Sequence, residues 1–422
     1  MGVVSEADGY RVMNEEALRS WLASLPSISE RLGGAPEAWS VQEIGDGNLN
    51  LVFIAKGPAG SVVTKQALPY LRLVGEGWPL PLSRSHYEHL ALQEHARVAP
   101  HLVPKVHHYE ADLALIVMEH LTPHQVVRKG LVRGLAYPKL AADIAEFLAA
   151  TLFHGSALGA PAAQHKETIA TFAGNHGLCR ITEDLVFTDP YRDAPLNRWT
   201  TPHLDGVAAE LRGDARLKTA VQARKHQFIT SAQALIHGDL HTGSIMATAD
   251  STKVIDPEFA FVGPMGFDVG AVLANLLLAY FAQSCRGAGD EADLSYRDEL
   301  LGYFRATWSG FEQRFLALWR AGDAGEAYPP SLFSRDEAPA LEDARAAFMK
   351  EIFHDSLAFA GCKMIRRIVG LAHVEDFESI EDPARRAAGE ALAIRLAREL
   401  ITAPRRFNSI DSVAQAAQEL AA

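Results

Sequence analysis

The chain changes its hydrophobic period once, and that change limits the folds open to it. Residues 41–44, 51–55 and 61–67 are short β-rich runs separated by Gly, Asp and Asn, a spacing that predicts a meander of antiparallel strands. A helix is expected over residues 85–97, followed by strands at 103–109 and 113–119, the second strongly apolar. From residue 136 onward the apolar residues recur at helical spacing, in segments 140–153, 205–222, 267–283, 296–319, 341–368 and 384–401. Ahead of the first strand, Asn14 is placed to cap a short helix that runs to the Leu25-Pro26 break. The expectation is an α+β fold of two lobes. A small antiparallel-sheet N-terminal lobe spans residues 1–120, led by a helical segment over 1–35, and a larger, mainly helical C-terminal lobe spans 121–422.

The chain has 422 residues, 48% hydrophobic and 22% charged, which excludes disorder and disulfide-rich miniproteins. Its formal charge of −12 comes with no long basic run, so no nucleic-acid partner is expected. A small phosphate compound would have to be held by a few local cations. Cys179, Cys285 and Cys362 lie far apart and form no CxxC, which points to a reduced, cytoplasmic setting without structural zinc. The first ten residues, MGVVSEADGY, have no apolar core of the kind a secretory signal needs. The apolar stretch 269–282, interrupted by Asn275, suits a buried helix better than a membrane span.

Five segments carry candidate chemistry. The loop 44–50, IGDGNLN, can bring backbone N–H groups close to an anion, although a plain hairpin turn reads the same way. The third strand delivers a single ammonium, Lys65. The segment His237-Gly-Asp239-Leu-His241-Thr-Gly-Ser244 places an acid in a polar loop after a buried strand, where Asp239 can act as base or orient a hydroxyl. Asp256-Pro257-Glu258 sets two hard oxygen ligands beside a proline, a pattern that suits Mg²⁺ held with substrate phosphates. Finally, Arg366 and Arg367 are adjacent in an otherwise apolar helical segment. They point about 100° apart, so a packed helix cannot turn both to solvent, and the guanidinium fork matches phosphate or vicinal oxygens. A buried salt bridge is the competing explanation for that pair.

Taken in order, EIGDGNLNLVF, the Gly75-Glu76-Gly77-Trp78-Pro79 loop, HGDLHTGS, DPEFAFVGPMGFDVG and KMIRRIVGLAHVEDFE resemble the methylthioribose kinase family. That family belongs to the protein-kinase-like fold, in the branch of aminoglycoside and choline phosphotransferases. The resemblance implies that Asn48 lies over the ATP phosphates and that Lys65 holds the α- and β-phosphates. Glu88 is the best-placed partner for Lys65, with Glu94 also possible by spacing. Met118 is implied as gatekeeper, and Glu119, His120 and Leu121 as the segment facing adenine. The resemblance further implies Asp239 at the sugar hydroxyl, Asp256 and Glu258 on Mg²⁺ with Pro257 between them at the nucleotide, and Arg366 and Arg367 at the thiosugar and transferred phosphoryl group. Trp78 would belong to a loop reaching the sugar.

The implied activity is ATP-dependent phosphorylation of S-methyl-5-thioribose at its 1-hydroxyl, in methionine salvage, with ATP and Mg²⁺ and no membrane partner. One departure from the general kinase template stands out: Ser244 occupies the place of the metal-binding Asn, and DPE replaces DFG. Glu258 is expected to supply what that Asn would. The family also implies a homodimer, for which Trp21 and Leu22 offer an apolar contact. The nearest rival is a choline, homoserine or aminoglycoside kinase of the same branch. A zinc protease is disfavoured because Gly238, not an acid, follows His237.

Overall fold

The computed structural model describes residues 9–45, 49–71, 75–286 and 291–422. Two short helices open it, α1 (Glu15–Ala23) and α2 (Pro26–Leu32). Asn14 caps α1 by accepting from the Ala17 N–H at 2.9 Å, and Pro26 starts α2, where a missing N–H costs nothing. The strands β1 (Ser40–Glu43), β2 (Asn50–Lys56) and β3 (Ser61–Ala67) follow as an antiparallel meander. A two-stranded ribbon, β4 (Tyr70–Leu71) with β5 (Gly75–Pro79), then leads to helix α3 (Arg84–Val98), and β6 (Val106–Glu110) and β7 (Leu115–Glu119) complete the sheet in the order β1-β2-β3-β7-β6.

Strand periodicity gives this sheet two distinct faces. Val62, Thr64 and Gln66 of β3 are buried on one side. There Leu18, Leu22, Ile28 and Leu32 of the leading helices pack with Phe53, Val62 and Leu115. Lys65 alternates to the other side, toward the C-terminal lobe. Leu22 is fully buried in this core, so it cannot supply the dimer contact expected from the sequence. Trp21 packs beside it, its ring 5.7 Å from that of His108.

In the second lobe, β8 (Gln125–Val126) and helices α4 (Val127–Val132), α5 (Leu140–His154), α6 (Ala162–Phe172), α7 (His176–Leu185), α8 (Asp205–Gly213) and α9 (Ala215–Thr230) precede four three-residue strands. These are β9 (Ala234–Ile236), β10 (Ile245–Ala247), β11 (Thr252–Val254) and β12 (Phe261–Gly263). The segment 205–222, expected as one helix, is two. Asp214 leaves helical geometry and caps α9 by accepting from the Leu217 N–H at 2.9 Å. Gly213 before it is the poorest helix former apart from proline.

The lobe is completed by α10 (Met265–Arg286), α11 (Glu291–Ala321), α12 (Ala338–Val369), α13 (Glu375–Glu378), α14 (Pro383–Thr402) and α15 (Ile410–Ala421). By length and hydropathy α10 could cross a membrane, but its apolar window is wholly buried, packed against α11, α12 and α14. Close approach of α10 to α12 requires Gly270, where a Cβ would lie 2.5 Å from the Ser356 carbonyl oxygen. This contact sets the position of the C-terminal half of α12, which carries Lys363, Arg366 and Arg367.

Candidate active site

Lys65 reaches from β3 to Glu88, one turn into α3, at 2.8 Å, and also meets Asp256 on the loop after β11. Glu94 is excluded as its partner: it pairs with Arg97 on an exposed face. Asp256 holds a left-handed backbone conformation, φ +70°, and its side chain is 42% exposed to the cleft. Pro257 is buried, and its carbonyl accepts from the Ala260 N–H at 3.1 Å to close the turn. Glu258 is 1% exposed. Asn175 fixes this turn from α7's side, donating at 2.9 Å to the backbone oxygens of both Glu258 and Ala260.

Glu88, Asp256 and Glu258 place carboxylate oxygens within 4.8 Å of one another. Burial, together with mutual repulsion, holds Glu88 and Asp256 above the usual carboxylate range against the pull of Lys65. Burial alone would lower the Lys65 ammonium, yet Asp256, Glu88 and Glu258 override it and raise it above its ordinary value. Three hard-oxygen acids around one ammonium leave a surplus of negative charge, and such a donor set fits a small divalent cation such as Mg²⁺.

The Asp239 loop is built from its backbone outward. Gly238 takes φ +83°, and a Cβ there would lie 2.1 Å from the Phe259 carbonyl oxygen. The carboxylate of Asp268, near the start of α10, accepts from the N–H groups of His237 at 2.6 Å and Gly238 at 3.0 Å. Nε2 of His237 donates to the Ile255 carbonyl at 2.9 Å, tying this loop to the DPE turn, while Nδ1 accepts from the Asp239 N–H at 3.3 Å. Burial lowers His237 and takes His241 down to about 3, so both are neutral. Nδ1 of His241 accepts from the Gly243 N–H at 3.0 Å. Ser244 is turned into the loop, donating to the Asp239 carbonyl at 3.2 Å.

Around the Asp239 carboxylate the charge is reversed. Oδ1 accepts from Lys363 at 2.8 Å, while Oδ2 faces His241 Nε2 at 3.4 Å and Arg367 at 3.9 Å. Burial would raise its pKa, but Lys363, His241 and Arg367 together hold it well below the usual carboxylate range. Lys363 is buried, with its ammonium 4.4 Å above the Phe267 ring. Arg128 of α4 adds a further cation, held by Asn275 at 3.0 Å and Asp376 at 3.5 Å. Burial, and then the neighbouring Arg366, push Arg367 well below its ordinary value. Nε and one terminal nitrogen of Arg366 are buried without a hydrogen-bond partner, donors suited to an incoming anion.

The structure therefore gathers Lys65, Glu88, Asp256 and Glu258 on one side and Asp239, Arg366 and Arg367 on the other. Leu121 and Glu119 lie in the segment joining the lobes. The His120 ring there is engaged by Ser61 Oγ at 2.9 Å, and the Glu119 side chain accepts from the Lys105 N–H at 3.1 Å. Trp78 sits on β5, and no hydrogen bond, ion pair or ring contact joins it to Asp239 or the arginines. Asn48 lies outside the described residues; Asn50, two positions on, donates to Glu258 at 3.1 Å. Sequence reasoning assigned no role to Arg84, Arg128, Asn175, Asp268 or Lys363. The one local signal was Arg84, a cation at a helix start, where the dipole favours acids.

A lysine–glutamate pair, a loop aspartate and a carboxylate turn between a small sheet and a helical lobe define a phosphotransferase. Accordingly, the phosphotransferase enzyme family matches residues 40–307. The chain is 47% identical over 410 residues to methylthioribose kinase 1 of Oryza sativa subsp. japonica, covering 96% of this chain and 94% of that one. It is 46% identical to the methylthioribose kinase of Escherichia coli O45:K1, covering 97% and 98%. To that of Geobacillus kaustophilus it is 43% identical, covering 91% and 93%. The chain belongs to the methylthioribose kinase family.

Proposed function

We propose that this protein transfers the γ-phosphoryl group of ATP to the 1-hydroxyl of S-methyl-5-thioribose, yielding S-methyl-5-thio-α-D-ribose 1-phosphate for methionine salvage. The observation that carries this reading is the cationic acceptor side. Asp239, among the described residues the one acid positioned for a hydroxyl, is surrounded by Lys363, Arg366 and Arg367, and Arg366 retains unpartnered donors. Such a pocket favours a neutral sugar that becomes an anion. It repels choline and aminoglycosides, whose acceptor sites need aromatic cages or acidic walls.

In this reading the N-terminal lobe to residue 120 holds the nucleotide and the lobe from 121 holds the sugar. Lys65, kept in place by Glu88, takes the α- and β-phosphates beneath the loop containing Asn48, and the segment 119–121 faces adenine. Asp256 and Glu258 would hold Mg²⁺, which when bound neutralises charge on the β- and γ-phosphates. Asp239 accepts the hydrogen bond of the attacking hydroxyl through Oδ2, because Lys363 occupies Oδ1. A carboxylate so firmly ionised orients the nucleophile first and takes its proton late, as a loose transition state allows. Arg366 and Arg367 receive the transferred phosphoryl group, and Trp78, on the β4–β5 ribbon, reaches toward the sugar.

The test is turnover of purified protein with ATP, Mg²⁺ and each of methylthioribose, choline, homoserine and an aminoglycoside, with the product read by phosphorus NMR. An anomeric phosphate from methylthioribose alone is expected. Faster turnover of choline or an aminoglycoside would refute the assignment. The three free cysteines suit a cytoplasmic site of action, and the family resemblance supports a homodimer. Light scattering that gave the mass of a single chain would remove the dimer.

A further inference from the structure

Arg84 opens α3 and is 0% exposed, and all five of its N–H groups are used. Nε donates to Glu258 Oε2 at 3.1 Å. One terminal nitrogen donates to the carbonyls of Leu68 at 2.8 Å and Pro81 at 3.1 Å. The other donates to the Leu49 carbonyl at 2.7 Å and to Asn50 Oδ1 at 3.1 Å. Asn50 in turn donates its amide to the same Glu258 oxygen at 3.1 Å. Arginine, asparagine and glutamate thus form a closed triangle joining the start of α3, the end of the glycine-rich loop and the carboxylate turn.

This triangle is asymmetric. Both donors converge on Oε2 of Glu258, and among the described residues no donor reaches Oε1. A buried carboxylate with a single paired oxygen is costly unless the other also finds a positive partner. Oε1 is the oxygen left to join Asp256 and Glu88 in the acidic group described above. Nothing in the general phosphoryl-transfer template calls for an arginine here, and the first turn of a helix disfavours a cation.

We propose that Arg84 is a positioning residue that presents Glu258 Oε1 to the divalent cation and couples the base of the phosphate-covering loop to that cation. This rests on the reading that Asp256 and Glu258 hold the cation. Lysine keeps the charge but cannot span five acceptors, so Arg84→Lys should leave the protein folded with Glu258 loosely held.

The experiment measures Mn²⁺ affinity of the full chain with ADP by electron paramagnetic resonance, alongside ADP affinity in EDTA. Loss of an outer partner of a metal ligand typically weakens binding about 10- to 100-fold. Arg84→Lys and Asn50→Leu should each weaken Mn²⁺ within that range while metal-free ADP binding changes by less than about threefold. In a Glu258→Gln background Arg84→Lys should add nothing. A folded Arg84→Lys with wild-type Mn²⁺ affinity, or one whose loss multiplies with that of Glu258→Gln, overturns the proposal. Wild-type Mn²⁺ affinity in Glu258→Gln itself would instead remove the metal assignment beneath it. Should Arg84→Lys fail to fold, Asn50→Leu, which removes the second donor to Glu258 Oε2, still decides.

Discussion

Asp239 and Lys363 form the contact on which the proposed acceptor side turns. Asp239→Asn keeps the shape but loses the charge that, in the proposed mechanism, aligns the hydroxyl. Its kcat should fall by about 10²- to 10⁴-fold, the usual worth of such a group, with the ATP KM nearly unchanged in steady-state assays. Lys363→Met tests the electrostatics separately. Asp239 is held well below the carboxylate range by Lys363, His241 and Arg367 against burial, so in the parent it remains ionised throughout the working range. Removing Lys363, the largest of the charges that oppose burial there, raises that pKa. Protonation then sets in at higher pH, and the acid limb of the kcat/KM profile should move upward. An unmoved limb would mean that Arg367 and His241 suffice. His241, taken down to about 3 by burial, contributes no titration of its own between pH 5 and 8. What sequence reasoning could read at this scale was whatever lay contiguous: HGDLH, DPE and the arginine pair announce themselves. Arg84, Arg128 and Asn175 do not, since their partners Glu258, Asn275 and the Glu258 carbonyl lie 174, 147 and 83 residues away.

The elements that aim these side chains are α10 and α12, and their spacing is set by glycine. A Cβ at Gly270 would stand 2.5 Å from the Ser356 oxygen and 2.9 Å from the Ala360 nitrogen, backbone atoms that cannot rotate away. Gly270→Ala should therefore push α12 outward and destabilise the protein by about 1–3 kcal/mol, as overpacking does, read from urea midpoints. Because Lys363 lies less than one turn beyond Ala360, kcat should fall as well. A variant with parent stability would show that the helices already have slack. Periodicity revealed α10 and α12 because their apolar content is dense, and it revealed the meander because its turns are rich in Gly, Asp and Asn. It ran through Gly213-Asp214, where a local break and cap were written in residue types but averaged out over the longer pattern. The helices α6 and α7 went unread, since with His165, Phe172, Leu178 and Leu185 buried among mostly polar neighbours their apolar stripe is thin.

At the level of the whole molecule, the two lobes share charged contacts rather than a simple hinge: Lys65 with Asp256, and Arg84 and Asn50 with Glu258. Unfolding should accordingly be one cooperative transition, seen coincidently by far- and near-ultraviolet circular dichroism. Mg²⁺·ADP at a hundred times its Kd should add about 2.7 kcal/mol. Two separated transitions would show that the lobes unfold independently. The burial of α10 has another consequence, one that concerns synthesis rather than the finished protein. The helix leaves the ribosome well before α12 and α14, which cover it, an interval of roughly ten seconds at ordinary translation rates. For that interval the nascent chain displays an uncovered apolar segment long enough to be taken for a membrane span. Its yield in a cell is therefore governed by whatever shields residues 265–282 until their partners arrive, and a chain ended before α12 should aggregate where the full chain does not.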